Sequence, residues 1–329
     1  MAQFTQEKAR ELAREKLIKS GCNEKNFQGI IDGIIDAEIS GIKSHGFHYL
    51  PIYCQHLKIG KINGNSDPVL SKISDSAIKV NADNGFAHSA INLGLKNLFQ
   101  NAIDHGITCM SVYNSYNCGV LGYHTKRIAE KGLIGLGFTN APASIAPVGG
   151  VKAVIGTNPF SLAVPLDGQA AIIIDQSASV VAKSEISVRA KTGESIPEGW
   201  AFDSEGKTTT NAQEALKGTM APSGGYKGFG TGLLVEILTA CLAGGNLGTE
   251  ASSFAGDDGG PPATGQFFLA INPQKFNSNF ESSLSTLINT ITEQEGARLP
   301  GAKRQSAYLE NKNSEIEIAD ALLERINQI

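Results

Sequence analysis

The sequence predicts an α/β fold in which a helical N-terminal region precedes a sheet flanked by helices. Two observations predict it. Residues 5–59 carry three successive helical patterns and no strand pattern. From residue 76 onward, short apolar runs bounded by turn residues alternate with helical patterns. The division follows this change: residues 1–72 form the helical region, residues 73–299 an α/β domain, and a C-terminal helical segment at 300–329 rejoins the first region.

Thr5 N-caps a helix that runs to about Ser20. A second helix spans Glu24 to Lys43, with Ile30, Ile31, Ile34, Ile35 and Ile39 on one face. Leu50 to Ile59 makes a short third helix, and residues 60–72, rich in Gly, Asn, Asp and Pro, read as a connector. Ser76 to Val80 is a strand closed by the turn Asn81–Gly85, and Ala87 to His105 is a helix carrying Ile91, Leu95 and Leu98. Ile107 to Val112 is a buried strand, Tyr123 to Lys131 a helix, and Leu133 to Thr139 a further strand. Strands near Phe160–Val164 and Ala170–Ile174 precede a helix from Val181 to Thr192. Gly228 to Gly244 reads as an apolar helix buried on most sides. A Gly/Asp/Pro-rich loop at 249–265 leads to a strand at Gln266–Ile271 and a helix at Asn277–Glu295, and an amphipathic helix lies near Ser314–Asn327.

A length of 329 residues suffices for two domains and a sizeable core. The net charge of -4 argues against a nucleic-acid or membrane surface. Five scattered cysteines without a CxxC read as reduced thiols of a cytoplasmic protein. Met1–Glu7 lacks an apolar signal region, and no apolar run reaches the roughly 18 residues of a membrane span.

Six segments carry candidate chemistry. In Lys43-Ser44-His45-Gly46 a hydroxyl neighbours an imidazole, the side chain best able to exchange a proton near neutral pH, and Pro51 keeps both close to a helix end. The polar loop Asn114–Gly119 joins a strand to a helix start and reads either as a capped N-terminus or as a ligand loop. Gly156-Thr157-Asn158-Pro159 is a turn before a strand. Asp175 stands at a strand end, as a catalytic carboxylate or as the N-cap of the next helix. Gly224-Gly225-Tyr226-Lys227-Gly228 and the basic turn Arg298–Arg304 offer flexible backbone and positive charge, to a phosphate or to solvent. Neither a Gly-x-Gly-x-x-Gly after a first strand nor a P-loop is present. The six histidines lack HxH and HExxH spacing, so no metal site is expected.

With Gly149-Gly150, these segments resemble in order and spacing the malate/L-lactate dehydrogenase family of NAD(P)-dependent oxidoreductases, from the first helix to about residue 305. The resemblance implies a mixed sheet that binds NAD(P)H on a fold unrelated to Rossmann, in a homodimer acting on a small carboxylate. It implies a relay of Ser44, His45 and Asp175, with His45 as general acid/base. It places Tyr49, His48 and Asn117 toward the substrate. Cofactor contacts are implied at Asn117, Cys118, Gly119, Val120, Leu121, Thr157, Asn158, Asp175, Lys227, Gly228 and Arg304. NADH and NADPH both remain open.

Three positions depart from the family pattern. Tyr49 stands where many relatives carry an Arg that grips the substrate carboxylate, Asn117 where many carry a second His, and Val148 where many carry Trp. Tyr49, His48 and His124 are then candidate carboxylate anchors, alongside an Arg from elsewhere. Gly244-Gly245-Asn246, Thr264-Gly265-Gln266 and Arg298-Leu299-Pro300-Gly301 are similar to the Δ1-piperideine-2-carboxylate/Δ1-pyrroline-2-carboxylate reductase branch. The expected reaction is hydride transfer to or from the 2-carbon of a small 2-oxo or cyclic 2-imino carboxylate. The alternatives are a malate/L-lactate/sulfolactate-type dehydrogenase and a non-catalytic dinucleotide-binding member.

Overall fold

The computed structural model describes residues 1–329. A short strand β1 (Ala2–Phe4) leads into α1 (Gln6–Lys19), whose N-cap Thr5 accepts the Lys8 N–H at 3.3 Å. Asn23 caps α2 (Glu24–Ile39) in the same way. Two single 3-10 turns, Lys43–His45 and Phe47–Tyr49, bend the chain into α3 (Leu50–Lys58), where Pro51 sits in the first turn and needs no N–H partner. The isoleucine face of α2 packs with Leu17, Phe47, Leu50 and Tyr53 into one buried cluster of 21 residues.

The second body is a seven-stranded sheet. It begins with β2 (Val69–Ser74) and β3 (Ala77–Asn81), and α4 (Ala87–His105) crosses over to β4 (Ile107–Ser115). Then follow α5 (Leu121–Ala129), β5 (Ile134–Thr139), β6 (Phe160–Leu166), β7 (Gln169–Gln176) and α6 (Lys183–Thr192). A small excursion holds β8 (Ala201–Phe202), α7 (Ala212–Lys217) and β9 (Thr219–Met220), and it shares its own cluster with α6 through Ile145, Ile186 and Ile196. Next come α8 (Tyr226–Glu236), a π-helical segment Ile237–Leu242, β10 (Thr264–Ile271) and α9 (Phe280–Thr292). The chain closes with α10 (Ala302–Asn311), β11 (Ile316–Ile318) and α11 (Asp320–Asn327).

The strand order is β2-β3-β4-β10-β5-β6-β7. Only β3 and β4, joined by the α4 crossover, run parallel; every other pair is antiparallel. The sheet is therefore mixed and unlike a doubly wound Rossmann sheet. Alternation along β10 shows its two faces: Phe268 packs with Ile91, Leu95 and Leu121 under α4 and α5, while Phe267 packs with Val235 of α8. No helix is long and apolar enough to cross a membrane.

Four expectations are corrected. The connector at 60–72 ends in β2, an edge strand with mostly exposed residues and hence no alternating pattern to read. The apolar helix at 228–244 is not buried on most sides: Gly228, Gly232, Val235 and Ala240 are buried, while Leu233, Leu234, Ile237 and Leu242 are exposed. The basic turn at 298–304 is shorter than expected, since Lys303 and Arg304 already belong to α10, the first helix of the segment expected as helical at 300–329. The helix expected at 314–327 is instead β11 followed by α11, because Ile316 and Ile318 pair with Phe4 and Ala2 far away in sequence.

Candidate active site

Ser44 and His45 occupy the first 3-10 turn after α2. Ser44 Oγ and His45 Nδ1 lie 3.0 Å apart, which ties down one ring nitrogen and leaves Nε2 for a ligand. The paired turns set His45 and Tyr49 on one side, with rings stacked at 6.3 Å and 13°. Tyr49 contacts Tyr53 at 4.9 Å, and its hydroxyl donates to the Phe254 carbonyl at 3.4 Å. The buried Tyr53 hydroxyl donates to Asn117 Oδ1 at 3.1 Å, and the same oxygen accepts the Gly119 N–H at 3.2 Å. The Asn117 amide NH2 makes no hydrogen bond within the protein.

Asp175 stands near the end of β7. Its carboxylate accepts from Arg304 Nη1 at 2.9 Å and faces the Gly122 N–H in the first turn of α5. A Cβ at residue 122 would lie 2.9 Å from Asp175 Oδ2, so glycine there lets the carboxylate reach the helix start. Burial raises the Asp175 pKa above the usual carboxylate value, opposed by Arg304, by the Gly122 N–H and by His45. The His45 ring is accessible, yet crowding by surrounding protein lowers its pKa; Asp175 opposes that shift and Arg304 adds to it. No hydrogen bond joins Asp175 to His45, so the carboxylate acts on the imidazole through its charge and its direct partner is Arg304.

A cavity of ≈ 530 Å³ opens beside Asp175 and Arg304, bounded by α2, α5, β7 and α10. Asp36 and Lys126 meet in its wall at 3.5 Å, and Lys126 Nζ lies 3.5 Å from the centre of the Tyr308 ring. A second strip of backbone continues from Asp175. The Ala178 N–H donates to the Thr157 carbonyl at 2.7 Å, and the Ser223 N–H donates to the Ala178 carbonyl at 2.8 Å. Ser223 leads directly into the start of α8, which has no side-chain cap and carries the exposed Lys227.

A sequence profile described as malate/L-lactate dehydrogenase matches residues 4–327. The chain belongs to this family. It is an oxidoreductase. It is 37% identical to a (2R)-3-sulfolactate dehydrogenase (NADP(+)) of Chromohalobacter salexigens, over 89% of this chain and 87% of that protein. It is 34% identical to a Δ1-pyrroline-2-carboxylate/Δ1-piperideine-2-carboxylate reductase of Pseudomonas aeruginosa, over 98% and 97% of the two chains. Among solved structures, a Δ1-piperideine-2-carboxylate reductase from Pseudomonas syringae superposes with a TM-score of 0.93 at 27% identity, covering 100% of this chain and 99% of that one.

In this family member the predicted residues do not all meet at one place. Ser44, His45, Tyr49 and Asn117 line one continuous aromatic and polar wall, and Asp175, Val120 and Arg304 line the cavity. Thr157 and Lys227 follow along the strip beyond Asp175, while Gly228 is buried against the Ser223 backbone. Cys118 and Leu121 turn their side chains into the core and offer only backbone. The Asn158 side chain is used up inside the protein: Nδ2 donates to the Gly232 carbonyl and Glu236 Oε2 at 2.9 and 2.7 Å, and Oδ1 accepts the Ala141 N–H at 3.2 Å. His124 is not an available anchor, being wholly buried with Nε2 on the Cys118 carbonyl at 2.9 Å. His48 is exposed, and the charges acting on it are those of Arg325 and Lys191, remote from the Asp175 cavity. Sequence reasoning missed Tyr53, whose i,i+4 spacing from Tyr49 was a usable signal, and Asp36, Lys126, Tyr308 and Phe254, for which none existed.

Proposed function

We propose that this chain transfers hydride to or from the 2-carbon of a small 2-oxo or cyclic 2-imino carboxylate, most closely as a Δ1-piperideine/Δ1-pyrroline-2-carboxylate reductase. Its cofactor is NAD(P)H, which when bound supplies the hydride. The donor set suits a dinucleotide. A pyrophosphate needs N–H groups and a cation. The α5 start already faces the Asp175 carboxylate, whereas the α8 start keeps free N–H groups, the open glycines Gly224 and Gly225, and Lys227. Residues 117–121 lie between the His45 wall and the cavity side, along the dinucleotide in this reading.

His45 carries the proton. When Nδ1–H donates to Ser44 Oγ, Nε2 is the reactive nitrogen: protonated it donates to a substrate O or N, and neutral it accepts a proton from a hydroxyl or amine. The Asp175 charge favours the imidazolium, which is what reduction requires. The observation that carries the imine reading is Tyr49. Its ring lies nearly parallel to that of His45 and its hydroxyl is held by the Phe254 carbonyl, so position 49 offers a flat wall to a planar ring and no charged clamp to an open-chain acid. The 37% identity to a sulfolactate dehydrogenase supports the second reading, oxidation of a 2-hydroxy acid. The intact Ser44–His45 pair stands against a non-catalytic member. A homodimer belongs to the same reading and is read out by sedimentation velocity.

The test is NADH and NADPH oxidation against Δ1-piperideine-2-carboxylate, Δ1-pyrroline-2-carboxylate, pyruvate, oxaloacetate and sulfopyruvate. Turnover confined to the cyclic imines is expected. Turnover confined to the open-chain acids would replace the imine reading with the dehydrogenase one. His45→Gln should lower kcat by about 10²–10⁴ while dinucleotide binding persists.

A further inference from the structure

Lys61 follows α3 in the turn Gly60-Lys61-Ile62-Asn63-Gly64 and is only 1% exposed. A lysine ammonium has three N–H donors, and a buried one is tolerated only when they are satisfied. Here each meets a main-chain carbonyl: Ser253 at 2.8 Å, Gly256 at 2.7 Å and Asp258 at 2.8 Å. No carboxylate comes within ion-pair distance of Lys61. The shell is thus a cation nest made by a single turn of chain and filled by a tethered ammonium.

That turn belongs to residues 249–263, which contain no strand or helix of their own. Its other ties to α3 both end on the exposed Asp257 carboxylate, from Gln55 Nε2 to Oδ2 at 3.1 Å and from His56 Nε2 to Oδ1 at 3.8 Å. The charge-assisted bonds of Lys61 are therefore its strongest link to the helical region. Between the first two carbonyls of the nest lies Phe254. Its carbonyl receives the Tyr49 hydroxyl, and its ring packs edge-on to Tyr116 at 5.3 Å. Tyr116 packs on Tyr53, which holds Asn117. Every aromatic residue of the wall beside His45 is backed, directly or through one neighbour, by the segment that Lys61 pins.

We propose that Lys61 is a positioning residue for substrate binding: its ammonium fixes residues 253–258 so that Phe254 holds Tyr49 and Tyr116 and sets the width of the site beside His45. This rests on the carboxylate-substrate reading proposed above. The full-length Lys61→Met variant keeps the stem and removes the cation, and Lys61→Ala leaves room for an added one. Hydrogen exchange, which needs no substrate, should accelerate about tenfold or more across 253–258, as expected for losing bonds to a charged donor, while α4 and β4 stay protected. For whichever carboxylate the wild type turns over, KM should rise about tenfold with kcat and dinucleotide affinity little changed. Ammonium chloride should restore KM in Lys61→Ala, and tetramethylammonium chloride at equal ionic strength should not.

Unchanged exchange overturns the clamp, and faster exchange with unchanged substrate KM overturns its role in the site. Should Lys61→Met fail to fold, Phe254→Ala leaves the three carbonyls in place, and an unchanged KM in that variant overturns the proposal. A wild type that turns over none of the carboxylates defeats the proposed substrate reading instead, and the exchange result then still judges the clamp.

Discussion

Acidification should destabilise the protein through a buried histidine pair beneath the loop at residues 117–121. His88 of α4 and His124 of α5 are 2% and 0% exposed, with ring centres 5.4 Å apart. Neither Nδ1 has a hydrogen-bond partner. Burial lowers the His88 pKa to about 4; the positive Arg127 adds to the shift and Asp32 opposes it. His124 shifts in the same direction, again chiefly through burial. In the unfolded chain both titrate near about 6.5. Above that pH neither state binds the proton, and the histidines contribute no pH dependence. Below it the unfolded chain protonates first, and stability falls by about 1.4 kcal/mol per pH unit for each histidine, until His88 in the native state takes up its own proton near pH 4. For His88 alone the loss is about 2 kcal/mol at pH 5 and about 3 kcal/mol by pH 4. His88→Leu removes this contribution without breaking a hydrogen bond. Urea midpoints of wild type and variant at pH 7, 6 and 5, with matched m-values, isolate the His88 contribution together with its coupling to His124, the remaining titrations being shared. The variant should lose stability with a slope shallower by roughly one proton. Parallel curves for the two proteins would refute the reasoning.

Three further outcomes follow from the site. Arg304→Gln removes a charge that lowers both the Asp175 and the His45 pKa, so both rise; the alkaline limb of kcat/KM for reduction, which requires protonated His45, should move to higher pH, and a downward shift would contradict this assignment. Gly122→Ala should lower activity without lowering the melting temperature, since its Cβ displaces Asp175 while alanine favours the helix by up to about 1 kcal/mol; thermal melts and kcat, measured together, check the split. Asn158→Ala strips three buried hydrogen bonds and leaves Glu236 short of a partner, so urea denaturation should show a loss of about 3 kcal/mol or more.

What the sequence made legible was local. The α2 isoleucine face, the Thr5 cap and the Ser44-His45 end of the helical region can be read from residues within a few turns of one another. Pairings that span the chain could not be read. Nothing in Thr264–Ile271 announces that β10 inserts between β4 and β5, and nothing in the short β1 and β11 names the other as partner. The same limit governed the site. Asp175 was found at its strand end, but its ion pair with Arg304 crosses 129 residues, so that arginine was assigned to the cofactor alone. Asn158 and His124 carried polar side chains that fit a site equally well on paper, and only packing shows them turned inward. Lys61 went unread inside the connector at 60–72 because its three partners are backbone atoms nearly 200 residues away.

The β1–β11 ribbon has a consequence for how the protein is made. Ile316, Ile318 and Ile326 belong to the same buried cluster as α1, α2 and α3, yet the ribosome delivers them about 250 residues after that region is complete. At roughly 5–20 residues per second this is an interval of tens of seconds. Throughout it the first helices present an apolar seam with nothing to close it, while the sheet is assembled. The helical region is begun first and finished last, and in a cell that seam is where a chaperone or a neighbouring nascent chain would find its grip.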